Sequence, residues 1–242
     1  MRLTSAELDA WVHELYSQSG EKLTWTKVAR DAGFKTVTVS MQRTRNQVDA
    51  QMLLNICRAR DLHPLRGLAR VPRWSFLGEV PSKPTEVEVL AATHPAHALQ
   101  ELTDRLIVKG PRPPDFEDWD AYPARFSTWI DVAGTSSTRE MLRDTLGLTA
   151  SSLSGRLNGR ERFRVDEVID GFSAAHMDPV YALVLAGAIT PNDAGYPPSM
   201  REDAILAVSD DDLLSLSARQ QRYIRRILKD QHIAGEYLGK LQ

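Results

Sequence analysis

Residues 11–34, WVHELYSQSGEKLTWTKVARDAGF, run over residues 125–148, RFSTWIDVAGTSSTREMLRDTLGL, at an offset of 114. That register sets Gly20 over Gly134, Gly33 over Gly147 and Val39 over Leu153. Further on, LLNICRARDLHP (53–64) fits VIDGFSAAHMDP (168–179) at 115, with Pro64 over Pro179. TEVEVLAAT (85–93) fits REDAILAVS (201–209) at 116, with Leu90 over Leu206. Literal identity is low. What recurs is the apolar pattern and the turn residues, and the drift in offset reads as single-residue insertions, which loops absorb. The chain is therefore read as a duplication.

Each copy reads as a run of short helices. Leu8, Trp11, Val12, Leu15 and Tyr16 form an i, i+3, i+4, i+7, i+8 stripe. Thr4 or Ser5 can cap its start and Gly20 can end it. Thr24 can cap a second helix from Trp25 to Ala32, closed by Gly33; a third runs from Thr36 to Arg45. A fourth carries Leu53, Ile56 and Cys57 on one face, and Pro64 suits the first turn of a fifth. VPRWSFLGEVPSKP (71–84) reads as a linker, with tail helices at 85–92 and 95–108. GPRPP (110–114) breaks the chain before copy two, whose helices fall near 120–132, 138–146, 150–157, 166–176 and 179–188. PNDAGYPPS (191–199) is the second linker, and further tail helices begin near Arg201 and Ser209. Strand signals are nearly absent, so the expected fold is all-α.

The whole chain has 242 residues and a formal net charge of −2, but the charge is unevenly spread. Residues 22–73 hold 11 basic and 3 acidic side chains, a net of +8, a local patch of the kind that steers a polyanion. No apolar run is long enough for a transmembrane helix, and the N-terminus lacks a secretory pattern. The single cysteine, Cys57, excludes an internal disulfide framework, and a reducing cytoplasm is the expected location.

In copy one, Ala29, Gly33 and Val39 stand in the order small residue, turn glycine, aliphatic anchor. This resembles the helix-turn-helix of the lambda-repressor-like, or XRE, family. A small side chain lets two helices approach, glycine supplies φ > 0 in the short turn, and the aliphatic residue anchors the third helix. Copy two resembles the same family through Leu142, Leu146, Gly147, Leu148 and Leu153, followed by LSGRLNGRERFRVDEV (153–168). It departs at Arg143, where a small residue is usual; copy one departs in its loop, TRNQVDAQ (44–51). The resemblance implies two tandem helix-turn-helix domains, each followed by a linker and short tail helices. The boundaries would be 1–72 and 115–191 for the domains, with 73–114 and 192–242 as linker and tail segments.

The resemblance further implies a repressor of the phage-immunity type. The third helix of each copy would enter a major groove of double-stranded operator DNA. In copy one the implied base-reading residues are Lys35, Thr36, Thr38, Ser40, Gln42 and Arg43. Gln42 would pair with adenine and Arg43 with guanine. Trp25, Thr26, Lys27 and Arg45 would hold phosphates. In copy two the matching reading positions are Thr149, Ala150, Ser151, Ser152, Ser154 and Arg156, with Asn158, Arg160 and Arg162 as phosphate contacts. One chain would then read two half-sites as an intrachain pseudo-dimer, or else form a homodimer. The competing reading is a helical interaction or oligomerisation protein in which only the first module binds DNA.

Little points to other chemistry. His94 and His97 have metal-ligand spacing but no nearby cysteine or clustered acids. Cys57 lies on an apolar stripe, and no His or Asp partner for it is evident. DFEDWD (115–120) reads as a solvated helix start. No phosphate-binding glycine loop is present. No enzyme activity, cofactor, metal, small-molecule ligand or membrane association is expected.

Overall fold

A computed structural model of the chain describes residues 2–18, 20, 22–79, 83–92, 101 and 125–223. These residues are all-α; among them the only β feature is an isolated bridge between Leu3 and Val48. The tail helix expected at 95–108 (save Glu101), His94, His97 and the acidic run 115–120 lie outside the described residues.

The helices are α1 (Ser5–Gln18), α2 (Trp25–Asp31), α3 (Thr36–Thr44), α4 (Gln51–Ala59), α5 (Pro64–Leu68) and α6 (Glu86–Ala91). After them come α7 (Arg125–Ala133), α8 (Thr138–Leu146), α9 (Ala150–Leu157), α10 (Val165–Ala174), α11 (Pro179–Leu185) and α12 (Met200–Ala207). A last helical stretch, α13, covers 210–223. The stretch read as a linker differs from expectation: Pro72–Gly78 is a 3-10 helix with Trp74 and Leu77 buried. Proline and glycine marked a break in regular helix there, but the aromatic and leucine side chains still found a core.

Two compact units interleave along the chain. The first comprises 1–83, 137–150 and 162–197; the second comprises 84–136, 151–161 and 198–242.

In the first unit, the α1 stripe Leu8, Trp11, Val12, Leu15 and Tyr16 is buried. Thr4 and Glu7 cap it reciprocally: the Thr4 N–H donates to Glu7 Oε2 (2.8 Å) and the Glu7 N–H to Thr4 Oγ1 (3.2 Å). Thr24 caps α2 by accepting from the Lys27 N–H. Val28, Ala29 and Ala32 pack inward from α2 and Val39 from α3. α4 contributes Met52, Leu53, Leu54, Ile56 and Cys57. Burial pushes the Cys57 thiol up to about 11, in keeping with a core residue rather than a nucleophile. α8 packs on α10 and α10 on α11. Trp74 Nε1 donates to Asp170 on α10 (2.8 Å), and Arg58 donates to the carbonyl of Ala188.

In the second unit, α6 and α12 pack together. Val89, Leu90, Ala91, Ala204, Val208, Leu213 and Leu216 form its apolar core. The tail helices of both copies thus share one core. The register at 116 is corrected here: Leu90 is buried, whereas Leu206 is 63% exposed. An offset of 115 pairs the buried Val89 and Ala204 instead.

Turns at corresponding positions of the two expected copies share their backbone geometry. Gly33 (φ 71°) and Gly147 (φ 62°) both take left-handed backbone. The Phe34 N–H bonds to Ala29 O (2.9 Å), and the Leu148 N–H bonds to Arg143 O (3.0 Å) at the same offset of 114. Asp61 (φ 53°) and His176 (φ 56°) match at 115, each inside a turn closed by Leu62 N–H to Cys57 O or Met177 N–H to Phe172 O, both 2.9 Å. Asn46 (φ 50°) and Gly159 (φ 74°) match at 113, with Gln47 N–H to Gln42 O and Arg160 N–H to Gly155 O. Three helix ends in each copy therefore stop by the same backbone device.

Tyr16 ties α1 to α2 and α4. Its hydroxyl donates to Asp31 (2.7 Å), and the Arg60 guanidinium lies 3.8 Å from its ring centroid while pairing with Asp31 (3.0 Å). Burial, and then the hydrogen bond to Asp31, push the phenol from 10.0 up to about 12. A raised folded pKa means that the unfolded phenol ionises first. Its stabilising share is complete below pH 10 and is lost as the pH rises towards 12. Denaturation midpoints measured across that window are expected to fall, and to fall less in Tyr16→Phe. An equal fall in both would contradict this assignment.

Candidate nucleic-acid interface

α2, the Gly33 turn and α3 form a packed helical pair backed by α1 and α4. α3 is anchored through Val39, the only residue of that helix that is fully inside. Residues near Val39 in the helical wheel should therefore face neighbouring elements, and those opposite should face water. Gln42 and Arg43, three and four positions on, fall on the Val39 side.

Both are engaged internally. Arg43 makes a bidentate pair with Asp9 of α1 (Nε–Oδ1 3.0 Å, Nη2–Oδ2 2.9 Å), and its guanidinium stacks 3.6 Å from the ring centroid of Trp25. Gln42 Oε1 accepts the Asp49 N–H (3.0 Å). Bidentate readout of guanine by Arg43, or of adenine by Gln42, requires groups already committed here. Arg43 and Trp25 brace α3 against α1 and α2, and Gln42 holds the loop that follows α3.

The outward face of α3 is formed by Thr36, Val37, Ser40, Met41 and Thr44, with Arg45 at its end. Val37 is 69% and Met41 47% exposed. Lys35 and Thr26 are exposed, Thr38 is half-buried, and Lys27 is half-buried with Nζ 5.9 Å from the Tyr16 ring centroid. Beside this face a groove of about 440 Å³ is lined by Arg2, Thr38, Met41, Gln42, Arg45, Gln47, Val48, Asp49 and Arg164. Arg164 comes from the second copy. Burial works against its charge, but Asp166, which it holds by two hydrogen bonds (3.2 and 3.1 Å), and Glu167 raise its pKa. Arg164, Arg2, Val37, Met41 and Thr44 were not expected at the site. The last three were marked in the sequence by lying opposite Val39.

The corresponding helix of copy two presents less. Leu153, Gly155 and Leu157 of α9 are buried. Thr149 and Ser151 are exposed, as is Ala150; Ser152 and Ser154 are half-buried. Arg156 keeps 15% of its side chain exposed and faces Glu161 (3.5 Å). Asn158 donates to Ser154 O (2.8 Å) and accepts from Ser127 Oγ (3.1 Å). Arg160 and Arg162 are exposed. Arg143, at the position where a small residue is usual, is half-exposed and pairs with Asp144 (2.9 Å) and Glu140 (3.6 Å).

Among the described residues no group of His, Cys, Asp and Glu could hold a metal ion, and no helix is long and apolar enough to cross a membrane. Comparison with protein-family models, curated proteins and solved structures finds no significant match.

Proposed function

We propose that the chain is a sequence-specific double-stranded DNA-binding transcriptional regulator of repressor type, which reads its site with the first copy. The carrying observation is the outward face of α3, which is anchored from behind through Val39 and set between exposed Lys35 and Arg45. A helix held on one side and solvated on the other has the form that a major groove admits. Lys35, Arg45 and Lys27 supply phosphate contacts, Thr26 a hydroxyl beside them. Arg43 and Trp25 then act by fixing α3 against α1 and α2. No catalytic group, metal or cofactor enters this reading. Occupancy of an operator would block transcription.

A two-half-site version keeps one supporting observation, the exposure of Thr149, Ser151, Arg160 and Arg162. The embedding of Arg156 and Asn158 favours the single-module version. Selection of bound duplexes from random DNA separates them: one conserved block supports the first, two blocks at fixed spacing the second.

Point substitutions test the reading more cleanly than truncation. Removal of residues beyond 112 would also strip α8, α10 and α11 from the first unit. The full chain is expected to bind a selected duplex with affinity that falls steeply with salt. Arg45→Ala should weaken binding to all sequences and flatten the salt slope by about 1. Absence of salt-dependent binding at about 50 mM salt overturns the proposal.

A further inference from the structure

We infer that α3 recognises thymine C5-methyl groups, through Val37 and Met41, so that the preferred site carries thymines at the positions beneath these two side chains. The inference rests on the DNA-binding reading and narrows it to a base chemistry. Its ground is what remains on the face once Gln42 and Arg43 are withdrawn to Asp49 and Asp9. No charged side chain stands between Lys35 and Arg45 on the outward surface. Thr36, Ser40 and Thr44 offer hydroxyls, which donate or accept and so discriminate weakly. Val37 and Met41, 69% and 47% exposed, are apolar and lie one turn apart on the same side.

In the major groove only thymine presents a methyl group. Purine edges and cytosine present polar atoms that an apolar side chain would desolvate without compensation. The occupant is argued from charge as well. Lys35 and Arg45 at the two ends of α3 and Arg2 in the adjoining groove suit phosphate strands on either side of a groove floor. The patch is also small, two side chains flanked by hydroxyls, which matches contact with one or two base edges.

The test uses the full chain and a duplex selected from random DNA. Each thymine is replaced in turn by deoxyuridine, which removes the C5 methyl and leaves base pairing intact. Replacement at one or two positions is expected to weaken binding about 3- to 10-fold. Val37→Ala and Met41→Ala should each bind the thymine duplex more weakly and abolish the discrimination at one of those positions. Both side chains are exposed, so circular dichroism should be unchanged.

Equal affinity for thymine and uracil duplexes, with binding otherwise intact, overturns this inference and leaves the DNA-binding reading standing. Unaltered discrimination in both variants overturns it too. A change of oligomeric state in either variant, read by sedimentation, would make the patch an interface between copies and overturn it. Failure to bind any duplex removes the underlying reading itself.

Discussion

Replacing Trp74 with alanine is expected to lower the free energy of unfolding by about 3–5 kcal/mol, the largest single effect foreseen for this chain. The indole is fully buried although it sits in a 3-10 turn between helices. Its removal leaves a cavity that the surrounding helices can fill only in part. The indole N–H also donates to Asp170, which receives Arg73 as well (3.4 Å), while Arg73 reaches Glu7 on α1 (3.2 Å). Trp74→Phe separates the two contributions. It keeps most of the apolar volume but withdraws the donor from Asp170, at an expected cost of about 1–3 kcal/mol. Urea denaturation of the full chain measures both. A cost below about 0.5 kcal/mol for Trp74→Ala, the level of an ordinary surface change, would contradict the assigned packing.

Gly67→Ala is the second large effect. A Cβ built at Gly67 would lie 2.1 Å from Cys57 Sγ, far inside contact distance, and 3.9 Å from Trp11 Cζ2. Trp11 also holds this residue, since its Nε1 donates to Gly67 O (2.7 Å). The short α5 cannot move away without loss of that bond. Overpacking of this kind costs about 1–3 kcal/mol or more. The cause can be isolated by a second substitution. Cys57→Ala removes the sulfur and leaves Cβ at an ordinary 3.6 Å from the new methyl. The double variant is therefore expected to be more stable than the sum of the two single changes predicts, and strict additivity would refute the clash.

The helices were legible in the sequence because capping residues, glycine stops and one-sided apolar spacing agreed over most of the chain. α1 is the clearest case: its five-residue stripe is the buried face, and Thr4 with Glu7 closes its start. The turn residues that suggested a duplication, Gly33 and Gly147, adopt matching backbone. The interleaved units were not legible, because apolar pattern marks which face is buried but not which partner covers it. Trp74 was legible as a core or linker anchor from its large apolar ring, and it is fully buried, although no spacing marked the 3-10 helix that carries it.

The candidate site was half legible. Gly33 and Val39 point to α3, whereas Gln42 and Arg43, expected as readers, stand three and four positions from Val39 and have internal partners. At about 100° per residue, positions i+3 and i+4 return towards the anchored side. Val37, Met41 and Thr44 sit opposite Val39 and are exposed, but apolar and hydroxyl side chains carry no charge signal that would mark them as readers in a sequence.

The interleaving has a bearing on biosynthesis. Trp74 waits for a carboxylate 96 residues downstream, and the first unit takes in chain as far as residue 197. A ribosome releases the amino-terminal helices before the helices that cover them, so closure of the first unit waits on segments distant in sequence. Because two stretches of the polypeptide share one set of turn signals, the nascent chain must also distinguish its own later helices from those of a neighbouring molecule on the same message. Exchange of segments between chains is thus the misassembly to which this architecture is most open.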